Sequence, residues 1–425
     1  MTVADRAFET LTDESRAEAE DITEAAREAE AGNFLRHGAA LSLSKLADGL
    51  IDPKLVLSWL MGALGAPAAL TGLLVPVREA GALVPQLFTA ARIRGMGRRK
   101  WAWAAGAAGQ GLAALVILGA ALLLEGWAAG VVIVAALAVL AVARSVCSVS
   151  FKDVLGKSVD KPRRGTVTGL AASVASAGVL LFAGVLMLGL LERFQLVAGA
   201  IALAGAAWLG AAFIFSTIAE EDRPGDAEGE ATGLGQLSLL WEDADLRRFV
   251  VARVLLLPTA LAPPYLVMLA GEAGDDRWGA LGAMLAASAL AGLVSGWVWG
   301  RLSDRSSRLV LAISGAVAAG FLGLGVALGW GGAMGTAWAA PLVLFGLMVS
   351  YRGVRVGRST YLVNLAPEES RASYTAVANT TVGVALLGGG LFGLLASAAG
   401  PGVVLAVFAG VALGGAALAF AMKEV

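Results

Sequence analysis

The residues of this chain that could do chemistry are charged side chains set inside long apolar stretches. Lys45, Asp48 and Asp52 stand three and four residues apart, a spacing that a helix places on one face. Arg78 and Glu79 lie between Pro76 and Pro85, with Gln86 just behind. Arg144, Arg253 and the group Tyr351, Arg352 and Arg355 interrupt three further apolar stretches. An ionisable group inside a membrane is costly and is a functional candidate by default. Lys45, Arg78, Arg144, Arg253 and Arg352 face Asp48, Asp52 and Glu79, so three pairs would leave two cations over. Guanidinium forks suit carboxylate and phosphate, and the surplus points to a solute with an anionic group. A structural alternative stands beside this one. In it, Lys45–Asp48 and Arg78–Glu79 are internal pairs, and Arg144, Arg352 and Arg355 sit at headgroup level. Asp48 or Glu79 is also a candidate carrier of a coupling proton, because burial favours the protonated carboxyl; a static ion pair accounts for them as well.

The elements that hold these residues follow from hydropathy. Of 425 residues, 58% are hydrophobic and 15% charged, against about 45–50% and about 25% in soluble domains. Apolar stretches long enough to cross a bilayer recur along the chain. They predict an all-α polytopic membrane protein with spans near 34–61, 66–91, 101–124, 127–150, 166–190, 195–217, 248–270, 278–300, 308–329, 337–362, 372–397 and 401–422. Asp48-Gly49 and Pro53 are expected to loosen the first span. Residues 1–33 are acidic, lack the basic and apolar regions of a signal peptide, and read as a cytoplasmic tail with a solvated helix from Asp13 to Glu30 capped by Thr12. Residues 218–247, rich in Gly and acids, read as a linker between a six-helix bundle over 34–217 and a second over 248–425.

Basic residues follow every even-numbered span: Arg92, Arg94, Arg98, Arg99 and Lys100; Lys152, Lys157, Lys161, Arg163 and Arg164; Arg301, Arg305 and Arg308; Arg355, Arg358 and Arg371. The opposite connections are short and nearly uncharged. The positive-inside rule then places both termini in the cytoplasm and the chain in the inner membrane. Trp101, Trp103, Trp241, Trp278 and Trp330 fall at expected span ends and read as interfacial anchors. Small residues in spans five and eleven, among them Gly169, Ser173, Gly383 and Gly390, suit close helix packing.

The chain also repeats. Lys45 and Arg253, like Arg144 and Arg352, lie 208 residues apart, and the basic runs from Arg92 and Arg301 lie 209 apart. A constant offset implies two six-helix units related by a pseudo-two-fold axis.

Gly300-Arg301-Leu302-Ser303-Asp304-Arg305-Ser306-Ser307-Arg308 resembles the G-x-L-x-D-R-x-G-R loop of the major facilitator superfamily, with Ser307 where that loop has Gly. Residues 91–100 resemble a degraded copy that keeps Gly97, Arg98 and Arg99, with Gly95 in place of the Asp. Pro367, Glu368, Arg371, Tyr374 and Asn379 are similar to the start of the family's eleventh span. The resemblance covers about residues 34–422 and implies secondary transport by alternating access. It also implies a central cavity lined by the first and fourth spans of each half. A cytoplasmic gate is implied at Arg92, Arg98, Arg99, Gly300, Asp304, Arg305 and Arg308, whose contacts latch the bundles when the outside is open.

Other functions have less support. Cys147 and His37 are the only residues of their types, so neither a disulfide, a cysteine zinc site nor a histidine cluster is available. A nucleophile with its base is not visible, and no phosphate-binding glycine loop precedes a lysine; no enzyme and no cofactor are expected. The net charge of −1 gives no footing for nucleic acid. The expected partners are the lipid bilayer, a small solute and a coupling proton, with the chain acting as a monomer. The competing reading is a transporter-like receptor or partner-binding subunit that carries nothing.

Overall fold

A bilayer offers no water to backbone amides, so a segment inside it must satisfy its own hydrogen bonds, and an apolar chain resolves this as helix. The computed structural model describes residues 8–10, 12, 22–85, 89, 92–93, 95–189, 191–223, 237–273, 280–303, 305–367 and 370–425. It has no strand among these residues. Ten helices or helix groups are long and apolar enough to cross a membrane. The other two expected spans are present as broken helices, which makes about twelve. The first is α1 (Glu24–Leu50) with α2 (Val56–Ala63), and the second is α3 (Ala68–Thr71) with α4 (Leu74–Leu83). The first half continues through α5 (Lys100–Leu123), α6 (Gly126–Ser158), α7 (Lys161–Leu188) and α8 (Arg193–Ser216). After a short α9 (Leu239–Glu242), the second half begins with a broken span of α10 (Ala244–Leu255), α11 (Pro258–Leu261) and α12 (Pro263–Glu272). It continues with α13 (Ala280–Ser303), α14 (Ser307–Trp330), α15 (Ala339–Leu365), the pair α16 (Arg371–Gly388) and α17 (Leu391–Ala399), and α18 (Pro401–Phe420).

The breaks have local causes. Between α1 and α2, the Asp52 carboxylate accepts from the amides of Lys54 (2.7 Å) and Leu55 (3.3 Å), a turn that competes with helix. Pro53 lies inside that turn. Gly49 is needed just before it, because a Cβ there would stand 2.3 Å from the Val179 side chain of α7. Pro258 and Pro263 open the later pieces of the α10–α12 span.

The two halves meet most closely at the end that carries the short, uncharged connections, hereafter the charge-poor end. A Cβ on Gly72 would lie 2.5 Å from the Gly393 Cα, and one on Gly393 would lie 2.7 Å from the Ala69 carbonyl. Only glycine allows backbones this close. A Cβ on Gly282 of α13 would likewise come 2.7 Å from the Ala183 carbonyl of α7.

Three expectations change here. From Glu24 onward the N-terminal segment is not a solvated helix but the start of α1, capped by Thr23, whose hydroxyl accepts from Ala26. Glu30 on it is fully buried, and its carboxylate takes Arg163 at 2.8 Å and the Asp160 amide at 3.0 Å. The pair joins α1 to the first turn of α7, 133 residues on, so a pattern of local charge does not disclose it; residues 13–21 lie outside the described residues. Thr12 does not cap a helix start: its hydroxyl donates to the Phe8 carbonyl at 2.8 Å. Trp103 is no anchor, since it is 2% exposed and stacks on Phe215 at 3.9 Å, whereas Trp101, Trp241 and Trp330 are exposed. Cys147 is buried, with its thiol 3.3 Å from the Trp103 carbonyl and 3.4 Å from Gln110.

Candidate functional site

Asp48 is the hub of the charged residues in the first half. α1 brings it to Arg78 of α4 at 2.7 Å and to Arg144 of α6 at 2.7 Å, one guanidinium on each carboxylate oxygen. Arg144 also reaches the Ser44 hydroxyl at 3.4 Å. The expected neighbour pairs, Lys45–Asp48 and Arg78–Glu79, are therefore not the ion pairs formed. Adjacent residues on a helix point about 100° apart, so Arg78 and Glu79 serve different partners. Glu79 instead stands 3.6 Å from Lys54 and accepts from the Tyr351 hydroxyl at 3.4 Å, a contact between the halves. The Lys54 ammonium lies 3.6 Å from the centre of the Tyr351 ring. Asp52 is occupied by backbone amides, which gives it a turn-forming role.

The second half contributes cations. Arg253 of α10 is buried, and its guanidinium donates to Asn379 at 3.2 Å while its Nε has no partner. Arg352 runs beside Gly292 of α13, where an added Cβ would be 3.2 Å from Nη2. Arg355 lies 5.9 Å from the Tyr351 ring centre. Arg355 and Arg358 both act electrostatically on Glu79, and Arg355 acts on Lys45 across the gap between the halves. Lys54 and Arg358 thus join the residues singled out from sequence. Lys54 sits at the break within the first span. Arg358 reads as a topology charge beside the turn after span ten. The signal that could have found it is the spacing of three that runs from Arg352 through Arg355. Gln86 lies outside the described residues.

The basic end is organised differently from a latch between bundles. Arg99 pairs with Asp153 at 2.9 Å and Arg98 with Asp222 at 3.7 Å, both in the first half. The buried Glu220 carboxylate caps α5, accepting from the amides of Arg99 (3.0 Å) and Lys100 (2.7 Å), and holds Lys157 at 3.3 Å. Glu424 does a related job in the second half, taking Arg308 at 3.0 Å and the Ser306 hydroxyl at 2.8 Å. The segment that follows the sixth span of each half supplies these acids, so the arginines are held within their own bundle. Gly300 is inside α13, Arg305 and Arg92 are exposed, and Asp304 lies outside the described residues. Outside the membrane-spanning segments, Asp243 precedes α10. Burial raises its proton affinity, but the Tyr374 hydroxyl at 2.6 Å and the amides of Leu246 and Asp245 outweigh that and hold the carboxyl below its ordinary range.

Beyond the glycine contacts, at the charge-poor end, a separate concavity of about 1210 Å³ is lined by Trp59, Phe194, Glu192, Arg193, Glu272 and others. The charge cluster and this mouth lie on opposite sides of the seal at Gly72 and Gly393. No group of three or more His, Cys, Asp or Glu suited to a metal occurs among the described residues.

The sequence profile of the Major Facilitator Superfamily matches residues 39–386. No curated protein sequence matches the chain. Among solved structures, a mutant of the nucleoside transporter NupG is similar with a TM-score of 0.71 at 14% identity, covering 92% of this chain and 99% of that one. A POT family transporter in complex with 5-aminolevulinic acid is similar with a TM-score of 0.69 at 11% identity, covering 90% and 94%. A peptide transporter POT mutant in complex with alafosfalin is similar with a TM-score of 0.68 at 12% identity, covering 91% and 93%.

Proposed function

The chain belongs to the major facilitator superfamily, and on that premise we propose that it is a secondary active transporter of a small solute bearing an anionic group. The observation that carries this reading is a charge imbalance among the membrane-spanning segments. Among the described residues there, eight cations (Lys45, Lys54, Arg78, Arg144, Arg253, Arg352, Arg355 and Arg358) stand against three carboxylates, Asp48, Asp52 and Glu79, of which only Asp48 and Glu79 form ion pairs. A positive chamber in a low-dielectric wall draws and orients an anion. The described conformation, sealed at the charge-poor end, fits one state of an alternating-access cycle, with the basic end facing the cytoplasm and both termini there. The membrane is the cell membrane, and the monomer is the working unit.

Glu79 is the candidate coupling carboxylate. It is the more exposed of the two paired acids, its lysine contact is long, and Tyr351 ties it to the other half. Proton binding there would bear on how the halves sit together. The nucleoside and peptide ligands of the similar transporters stand as competing solute classes for this chamber.

The test is flux into proteoliposomes holding the purified protein, with and without an inward proton gradient. The panel comprises organic anions, phosphoesters, nucleosides and dipeptides. Uptake of an anion that Glu79→Gln uncouples from the gradient supports the reading. Uptake of neutral solutes alone removes the anion. A solute that binds without any flux favours the receptor-like alternative.

A further inference from the structure

On α15, Arg352, Arg355 and Arg358 recur every three residues. Successive guanidinium groups therefore climb about 4.5 Å along the axis and stay within about a third of its circumference. Tyr351 precedes the first of them, with the Lys54 ammonium 3.6 Å and the Arg355 guanidinium 5.9 Å from its ring centre. Across the gap stands Lys45, one turn before Asp48. Neither Lys45 nor any of the three arginines has a carboxylate within ion-pair distance among the described residues. The acids that could have served them are committed elsewhere: Asp48 to two guanidiniums, Asp52 to backbone amides, Glu79 to Lys54 and Tyr351. Behind the ladder, Arg253 adds a buried cation whose Nε has no partner.

One anionic group could neutralise a single rung and its neighbour across the gap. It would leave the remaining guanidiniums repelling one another at helix spacing, where the surrounding dielectric is low. Resting on the reading of the chamber as the transport site, we propose that the solute is a polyanion with at least two negative charges, a di- or tricarboxylate or a phosphoester. One of its anionic groups lies between Lys45 and Arg355, and another lies on a neighbouring rung of α15. The arginines of the second half, with Lys45 opposite, thereby read the number of charges on the solute, while Lys54, Arg78 and Arg144 keep their own carboxylates.

The experiment uses full-length protein purified in detergent free of anionic lipid, with acetate, succinate, citrate and pyrophosphate at constant ionic strength. Melting temperature and affinity are both read. Affinity is expected to rise at least about tenfold from acetate to citrate. Arg355→Gln should lose about tenfold for citrate and little for acetate, whereas Arg355→Lys, which keeps the charge without the fork, should lose less than Arg355→Gln. Ligand-free Arg355→Gln should melt no lower than the wild type, because it removes a surplus charge; a structural arginine would lower it. Equal affinity for acetate and citrate overturns the polyanion and leaves the anion reading of the transporter intact. A shift with dioctanoyl phosphatidate but none with the soluble anions assigns the rungs to a lipid headgroup and also overturns it. Binding of neutral or cationic solutes alone removes both readings.

Discussion

In the first half, Asp48, Asp52 and Glu79 stand among Lys45, Lys54, Arg78 and Arg144. In the second half, the positions 208 residues after those three acids are Leu256, Ala260 and Ala287, all buried, while Arg253 and Arg352 keep the cations of the repeat. Two of the first half's cations, Lys45 and Arg144, thus have a cation in the second copy, Lys54 and Arg78 fall on Ala262 and Ala286, and none of the three acids is repeated. In the first half Asp48 repays part of the desolvation of Arg78 and Arg144, and Glu79 part of that of Lys54. The unpaired half is a standing demand for counter-charge. Ion pairs inside one bundle hold shape; cations without partners in the other are free to respond to what enters.

The comparison breaks most visibly at Asp48. Asp48→Ala leaves Arg78 and Arg144 half-buried without a carboxylate, and should cost about 2–4 kcal/mol, read as a fall in melting temperature. Adding Arg144→Gln should recover part of that loss. A wild-type melt for Asp48→Ala would mean that the first half is not held by its pairs. Next in size is the contact that lets the halves approach. Gly393→Leu drives a side chain into the Ala68 and Ala69 carbonyls and should disfavour the sealed state by about 1–3 kcal/mol. Labelling of a cysteine introduced at the charge-poor end would increase accordingly. Tyr351→Phe sharpens the question of how the halves communicate. It keeps the ring over Lys54 and removes only a 3.4 Å hydrogen bond, so about 0.5 kcal/mol is expected, with a larger change in proton-driven than in downhill flux.

The smallest effect lies at Asp243, a carboxylate of the second half placed outside the chamber. Its folded pKa is depressed, so its contribution is present above the ordinary carboxylate range and is lost as pH falls through the lower folded value. The loss should be under about 1 kcal/mol, given its partial exposure. Tyr374→Phe removes part of that contribution, so it should lower the melting temperature at neutral pH and converge with the wild type in acid melts.

Much of the architecture was legible because a bilayer imposes a period and a length on every span, and the offset between the copies was visible in Lys45, Arg253, Arg144 and Arg352. The site was legible in its inventory more than in its pairing. Asp48 finds Arg78 and Arg144 through three helices, and no spacing along one helix reports that. Arg358 read as a topology charge because it stands close to the end of the expected span, whereas helix α15 carries it one helix turn beyond Arg355. Glu30 was hidden by its own company: a run of acids and alanines reads as solvated until the one buried partner, Arg163, is seen. The first span's break was foreshadowed by Pro53, yet the capping role of Asp52 needed the backbone path.

Cys147 has a use beyond packing. A thiol this enclosed reacts slowly with alkylating probes, and it is the chain's only one. Cysteines introduced at exposed Arg92 and Arg305, one on each bundle, would therefore be the only sulfurs to take up spin or fluorescent labels. The native sequence serves as the silent background, so a distance distribution between the two probes can be recorded during turnover without first rebuilding the protein.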